Sequence, residues 1–181
     1  PKTYEHPGSG LRKRRYSDGR EWTTYPDGRH RLIFPDGRIE TTFPGGSRKI
    51  RYSDGRTVFE DGFGNSETRY PDGTEVWSTS SGNRVIVYPD GKREYRRVNG
   101  DVRIILPNGT DRTTFAHGIV HTLYPDDRVE VLNMDGSLEI RFPNGRIVSR
   151  TAEGHEITRY SDGRRFVRMK DGTEIETFID G

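Results

Sequence analysis

The sequence has 181 residues, of which 29% are apolar and 32% charged, and its formal net charge is +2. Its 12 Ile, 11 Val, 8 Phe and 9 Tyr outnumber 2 Ala and 6 Leu, a composition typical of strands rather than helices. The absence of cysteine excludes disulfide scaffolds, thiolate metal sites and a Cys nucleophile. No apolar run approaches the length of a membrane span, and the intermixed charges give little support to nucleic-acid binding.

A nine-residue period runs through the whole chain. Of the twenty positions reached from Gly10 in steps of nine, nineteen are Gly and the other is Asp127. Around each Gly the unit tends towards aromatic-Pro-Asp-Gly-Arg, as in residues 25–29 and 34–38. Pro at the second position, Asp at the third and a left-handed Gly at the fourth predict a type I turn closed by a G1 bulge. The residues between turns predict one short strand for each repeat.

These repeats predict an all-β fold: a single-layer, free-standing antiparallel β-meander of about 19–20 short strands, with both faces exposed to solvent. Counting outward from the turns places Tyr70, Tyr88 and Glu94 on one face and Tyr25 and Trp77 on the other. Neither face is uniformly apolar, as the inside of a sandwich would be. Cation–π pairs between each aromatic and the Arg across its turn should replace a core. We expect residues 1–181 to form a single repeat domain, the C-terminal part of a longer protein.

A second period of eighteen residues lies within the first. At alternate repeats, the residue three before the Gly is aromatic in nine cases out of ten: Tyr16, Phe34, Tyr52, Tyr70, Tyr88, Leu106, Tyr124, Phe142, Tyr160 and Phe178. Because alternate hairpins lie on the same edge of a meander, these side chains should form one row on one face, which we call the aromatic row. The row is either the sheet's substitute for a core or a binding surface.

No sequence pattern indicates catalysis, a cofactor or a metal site. The histidines are scattered, His117 and His121 are expected to share no site, and no carboxylate cluster has metal-ligand spacing. A flat sheet also offers no cavity that could exclude water from a reaction. We therefore expect no enzymatic activity, no cofactor and no membrane association. Two alternatives stay open: binding of single-stranded nucleic acid by the Tyr and Arg side chains, and a purely structural sheet similar to tyrosine–aspartate repeats.

The two ends of the predicted sheet differ in charge. The first predicted strand, residues 11–16, is basic, and the last, residues 173–178, is acidic. Unpaired edge strands are commonly protected by charge. Opposite charges at the two ends also predict salt-sensitive edge-to-edge self-association.

The repeat array resembles a known family. Residues 68–76, Ser80–Gly82 and residues 88–94, with the turns Tyr70-Pro71-Asp72-Gly73 and Tyr88-Pro89-Asp90-Gly91, are similar to the C-terminal G-box, or T-complex-protein, domain of the CPAP family of centriole assembly proteins. The resemblance implies a non-enzymatic scaffold domain that binds a proline-rich segment of a STIL/Ana-type partner. It also implies a location in the cytoplasm and cytoskeleton, at the centriole or centrosome.

The family also implies a binding site. Its pattern of an aromatic residue with a glutamate six positions later falls on Tyr88 and Glu94, with Tyr70 on a neighbouring repeat. Together with the face assignment, this predicts a peptide-binding site at Tyr52, Tyr70, Val76, Ile86, Tyr88 and Glu94. A polyproline II segment suits such a surface because it is ordered before it binds.

Overall fold

The computed structural model describes residues 2–6 and 8–178, and within these ranges the chain consists of strands and turns without a helix. The described residues form twenty strands: β1 Lys2–His6, β2 Leu11–Arg15, β3 Glu21–Thr24, β4 His30–Ile33, β5 Ile39–Thr42, β6 Arg48–Arg51, β7 Thr57–Glu60, β8 Ser66–Arg69, β9 Glu75–Ser78, β10 Arg84–Val87, β11 Arg93–Arg96, β12 Val102–Ile105, β13 Asp111–Thr114, β14 Val120–Leu123, β15 Val129–Leu132, β16 Leu138–Arg141, β17 Ile147–Arg150, β18 Glu156–Arg159, β19 Arg164–Arg168 and β20 Glu174–Phe178. Most contain four residues, because the turn and its flanking residues occupy the rest of each nine-residue repeat.

The chain divides into two compact units, Pro1–Pro89 and Asp90–Gly181. Within the first unit β1 to β10 pair in chain order, and within the second β11 to β20 do the same; all of these pairs are antiparallel. Each unit is therefore an open single-layer meander, and the predicted all-β, single-layer fold with a nine-residue repeat is confirmed.

The turns have the predicted geometry. In the turn after β3, the Tyr25 N–H donates to the Arg29 carbonyl at 2.9 Å and the Gly28 N–H donates to the Tyr25 carbonyl at 3.0 Å. Gly28 has a φ of 82°, so the type I turn and its left-handed bulge residue are both present. Asp127, with a φ of 61°, fills the Gly position of its own turn, as the sequence predicted.

The turn aspartates add a contact that we did not predict. The Asp27 carboxylate accepts a hydrogen bond from the backbone N–H of Arg29 at 3.0 Å, and Asp36 does the same for Arg38 at 2.9 Å. Asn108 replaces Asp in the equivalent bond to Thr110 at 3.0 Å. An acceptor side chain at this position thus satisfies the backbone donor just after the bulge.

The prediction that residues 11–16 form the first edge strand is wrong. β1 precedes them and pairs with β2 from His6 opposite Leu11 to Lys2 opposite Arg15. Gly8 and Gly10 both have positive φ, which lets the chain reverse between the two strands outside the nine-residue pattern. The basic strand β2 is consequently paired on both sides, with β1 and β3. At the other end the prediction is confirmed: the acidic strand β20 pairs with β19 alone among the described strands.

Strand register fixes the two faces of each unit. From β2 to β10 every pair joins residues of the same parity, as in Trp22 with Leu32 and Val76 with Ile86. The same holds from β11 to β20, as in Glu130 with Ile140. Each unit therefore has an even face, formed by even-numbered strand residues, and an odd face. This confirms the predicted face assignment within each unit.

Neither unit has a conventional core. Among described residues, Ile50 is the one apolar side chain classed as buried, at 5% exposure. The chain's accessible surface is 12203 Å², against about 9,000 Å² expected for a globular protein of 20.8 kDa. Because no second layer covers either face, stability has to come from backbone hydrogen bonds and cross-strand side-chain pairs.

Candidate functional site

The aromatic row lies on the even face at the turns that join β2 to β3, β4 to β5, and so on along each unit. Three of its members in the first unit carry a guanidinium on the ring: Arg20 lies 5.2 Å from the Tyr16 centroid, and Arg38 and Arg56 lie 3.8 Å from the centroids of Phe34 and Tyr52. These are the predicted cation–π pairs across the turn. Most of the aromatic row is thus covered by arginine.

This arginine cover stops in the middle of the sequence. After Gly73, Gly91 and Gly109 the residues are Thr74, Lys92 and Thr110, so the row members Tyr70, Tyr88 and Leu106 have no arginine at the cross-turn position. Tyr70 is 40% exposed. Arginine returns in the second unit, where Arg128 and Arg146 lie 4.0 and 3.9 Å from the centroids of Tyr124 and Phe142. The repeat therefore leaves Tyr70 without an arginine across its turn.

Apolar strand residues lie on the even face beside Tyr70. Val58 is opposite Thr68, Thr68 is opposite Val76, and Val76 is opposite Ile86 across β7 to β10. All four are partly exposed. They give the first unit a shallow, mainly apolar surface next to an uncovered phenol ring.

Five of the six predicted site residues share the even face of the first unit: Tyr52, Tyr70, Val76, Ile86 and Tyr88. The Tyr52 ring is nevertheless covered by Arg56, whereas Tyr70 is not. Glu94 belongs to β11 in the second unit, opposite Ile104. It is 6% exposed and accepts a hydrogen bond from the Arg96 Nε, which keeps a buried carboxylate paired.

The second unit contains a direct contact at the Tyr–Glu spacing of the predicted site. Tyr124 donates from its hydroxyl to the Glu130 carboxylate at 2.8 Å, and this hydrogen bond raises the pKa of Tyr124 because ionisation would place two negative charges together. A glutamate six residues after a row tyrosine can therefore hold the phenol in place.

The odd face of the second unit carries a groove that sequence reasoning missed. It has a volume of about 400 Å³ and includes Tyr95, Arg103, Phe115 and His121 in its lining. The His117 and His121 rings both contact Phe115, with centroids 5.5 and 5.2 Å away, and His121 lines the groove. All of these residues are odd-numbered, so the parity rule could have placed them together on one face of the sheet. Arg103 in this groove is neutralised by Asp111.

Two classes of site are absent from the described ranges. No three His, Asp or Glu side chains in residues 2–6 and 8–178 are grouped so that they could hold a metal ion. In the same part of the chain we find no helix with the length and apolarity needed to cross a membrane.

Comparison with known proteins identifies the class of domain. The family model described as "T-complex protein 10 C-terminus" matches residues 26–60, 64–96 and 80–114, the same Pro-Asp-Gly turns that build the aromatic row. This chain is similar to that family over residues 26–60 and 64–114. No curated protein sequence matches it significantly.

Solved structures give the corresponding fold. The TCP10 domain of Danio rerio CPAP in complex with a peptide of Danio rerio STIL is 23% identical, with a TM-score of 0.61, covering 93% of this chain and 99% of that one. A second structure of the wild-type TCP10 domain of Danio rerio CPAP is 20% identical, with a TM-score of 0.57, covering 98% of this chain and 99% of that one. The G-box domain of the microcephaly protein CPAP, for which a role in centriole elongation has been suggested, is 24% identical, with a TM-score of 0.57, covering 94% and 100%.

Proposed function

We propose that this chain is a non-enzymatic scaffold domain whose even face binds a proline-rich segment of a STIL-type partner in centriole assembly. The observation that carries the proposal is the gap in arginine cover at Tyr70. The Tyr16, Phe34 and Tyr52 rings already stack on guanidinium groups, whereas Tyr70 has no arginine across its turn and is 40% exposed. The peptide bound to the similar Danio rerio domain supports the choice of partner. A cytoplasmic, centriolar location follows from the same proposal.

The geometry suits a polyproline II ligand. Tyr70 and Tyr88 are separated by two strands, or about 10 Å, and one three-residue turn of polyproline II rises about 9 Å. Successive turns of the peptide would therefore meet successive tyrosines, with Val76 and Ile86 between them as an apolar floor. Tyr52 extends this surface by one repeat. We expect micromolar affinity, about −8 kcal/mol, as is ordinary for a short peptide.

Glu94 is assigned a supporting role in this proposal. Its carboxylate is nearly buried, so it would act by ordering neighbouring side chains or by accepting one hydrogen bond from the peptide. Glu94→Gln retains the shape and an acceptor, whereas Glu94→Val removes both. We expect the Val variant to bind more weakly than the Gln variant, with circular dichroism used to verify the fold of each.

Alanine substitution tests the site directly. Isothermal titration of a STIL-derived proline-rich peptide should show that Tyr70→Ala and Tyr88→Ala lose binding by about tenfold or more, the scale of a hot-spot aromatic. The control is Tyr160→Ala, because Tyr160 is 37% exposed yet lies under Arg164, 4.7 Å from its centroid. Equal losses in all three variants, with folding intact, would show that the aromatic row is purely structural.

A further inference from the structure

The odd face of the first unit carries a groove in which three of the four cations have no ion-pair partner among the described residues. It has a volume of about 210 Å³, and its lining includes the cations Arg29, Arg31, Lys49 and Arg51 but no acidic residue. Ile39 and Thr41 form its floor. This groove lies on the opposite face from the proposed proline-rich peptide site, so any ligand there would be a second one.

The register explains why these cations gather. Arg31 and Lys49 lie on either side of Thr41, each directly opposite it on a neighbouring strand. Arg51 lies opposite Ile39, two residues along the same strand from Thr41. Three positive side chains thus surround one small patch of β5. Like charges placed close together across a sheet repel one another, so this arrangement has a cost that an anionic ligand would relieve.

The nearby acidic residues are engaged with other arginines. On this face Glu21 pairs with Arg15 at 2.9 Å, and Asp27 pairs with Arg29 at 2.9 Å. Within the described part of the chain, Arg31, Lys49 and Arg51 take part in no ion pair. In the groove on the odd face of the second unit, by contrast, Arg103 pairs with Asp111. The groove is therefore a local excess of positive charge in a chain of net charge +2.

We propose that this cationic groove binds an extended acidic peptide segment of a partner protein. Arg31 and Lys49 are two strands apart, or about 10 Å. A peptide in the polyproline II conformation, a major conformer of unfolded chains, rises about 9 Å in three residues and carries every third side chain on the same side. A peptide crossing the strands would thus present a carboxylate to each cation if acidic residues recur at every third position. The hydrophobic floor at Ile39 would contact the intervening residues.

The rings in this region favour a peptide over single-stranded nucleic acid. Base stacking needs an open aromatic platform, but the Tyr25 ring in the groove is covered by Arg29, whose guanidinium lies 4.4 Å from its centroid. Carboxylate recognition needs only the free guanidinium and ammonium donors of Arg31, Lys49 and Arg51.

The experiment uses a fluorescein-labelled dodecapeptide that repeats Glu-Gly-Ser, with fluorescence anisotropy measured at low ionic strength. We expect saturable binding that weakens about tenfold or more in the double variant Arg31→Glu/Lys49→Glu. Arg14→Glu/Arg84→Glu is the matched control with the same change of net charge, because Arg14 and Arg84 are exposed cations on the even face of the same unit, opposite Trp22 and Ser78. This control should weaken peptide binding by about twofold, which is the loss expected from the change in net charge alone. The milder variant Lys49→Gln removes one charge, and its urea unfolding shows whether weaker binding occurs in a protein that is still folded.

Several results would overturn the proposal. One is an equal loss in Arg14→Glu/Arg84→Glu, which would indicate attraction by net charge. Another is equal binding of a peptide with the same composition but adjacent glutamates, which would remove the spacing argument. Tighter binding of an oligothymidylate, with the same sensitivity to Arg31 and Lys49, would identify a nucleic-acid surface instead. Proline-rich peptide binding should be unchanged in the double variant, which keeps this test independent of the even-face site.

Discussion

Gly28 packs against Pro44 so closely that a Cβ added to Gly28 would push the proline ring aside. A Cβ placed on Gly28 would lie 3.1 Å from the Pro44 Cγ. The two residues occupy neighbouring turns on one edge of the first unit, and the same relation joins Gly10 to Pro26 and Gly19 to Pro35. The repeated Gly and Pro therefore have a shared purpose beyond their backbone angles, because each turn supports the next turn on its edge.

Gly28→Ala should destabilise the protein more than Gly136→Ala does. Both glycines have a φ of 82°, so each substitution incurs the left-handed penalty of about 1 kcal/mol. A Cβ at Gly136 would meet nothing within 4 Å, whereas one at Gly28 would press on Pro44. Urea unfolding of the two variants measures the difference. Equal losses of unfolding free energy would mean that the turn-to-turn contact contributes nothing.

Turn chemistry made most of the fold predictable from the sequence. Because a three-residue hairpin loop pairs even-numbered residues with even and odd with odd, the position of each Gly was enough to predict which residues share a face. The first strand was missed because Gly8 falls outside the nine-residue series and β1 pairs through a different loop. Likewise, the hydrogen bonds of the turn aspartates depend on side-chain rotamers that composition and spacing do not specify.

The candidate site was predictable in part. The family pattern indicated Tyr70 and Tyr88. The sequence also shows that Thr74 replaces the arginine across the turn from Tyr70, a feature that went unused. The cationic groove was harder to foresee. Arginine side chains are long enough to reach several carboxylates, and only the coordinates show that Glu21 pairs with Arg15 rather than with Arg31.

Thr74→Arg should close the open ring of Tyr70. By analogy with Arg56 over Tyr52 at 3.8 Å, the new guanidinium should cover the phenol and stabilise the turn by about 0.5–1 kcal/mol. A proline-rich peptide would have to displace that contact, so its binding should weaken about two- to fivefold. Titration calorimetry and urea unfolding on the same sample measure both effects.

The reverse substitution provides the control for Thr74→Arg. Arg56→Thr uncovers Tyr52, and we expect it to lose about 0.5–1 kcal/mol of stability without weakening the peptide. If Thr74→Arg raised stability and left peptide affinity unchanged, the uncovered face of Tyr70 would not be the surface that binds.

Acid should destabilise the protein through its turn aspartates. Backbone N–H donation from Arg20 lowers the pKa of Asp18, and donation from Arg164 and Thr173 lowers the pKa values of Asp162 and Asp171. Because the folded-state pKa lies below the unfolded one, this stabilisation is complete above the ordinary pKa of about 4. It is lost as the pH falls through the folded-state values.

Asparagine at these three positions tests the assignment. The variant Asp18→Asn/Asp162→Asn/Asp171→Asn keeps an acceptor, as Asn144 does in its bond to the Arg146 N–H at 3.1 Å, but it has no charge to lose. Its melting temperature should be lower at neutral pH and should fall less steeply below about pH 4 than that of the original chain. Parallel melting curves against pH would place the acid sensitivity elsewhere.

Removal of β1 should turn β2 into a self-associating edge. Without residues 1–10, the N–H and C=O groups on that side of Leu11–Arg15 lose their partners in β1, and β2 presents four consecutive basic residues. The edge strand β20 carries Glu174 and Glu176, so a second copy could add there with complementary charge. We expect light scattering to show association of the shortened chain that grows with concentration and disappears at high salt. Glu174→Lys/Glu176→Lys in the shortened chain should abolish it, whereas association that survives this reversal would exclude pairing of β2 with β20.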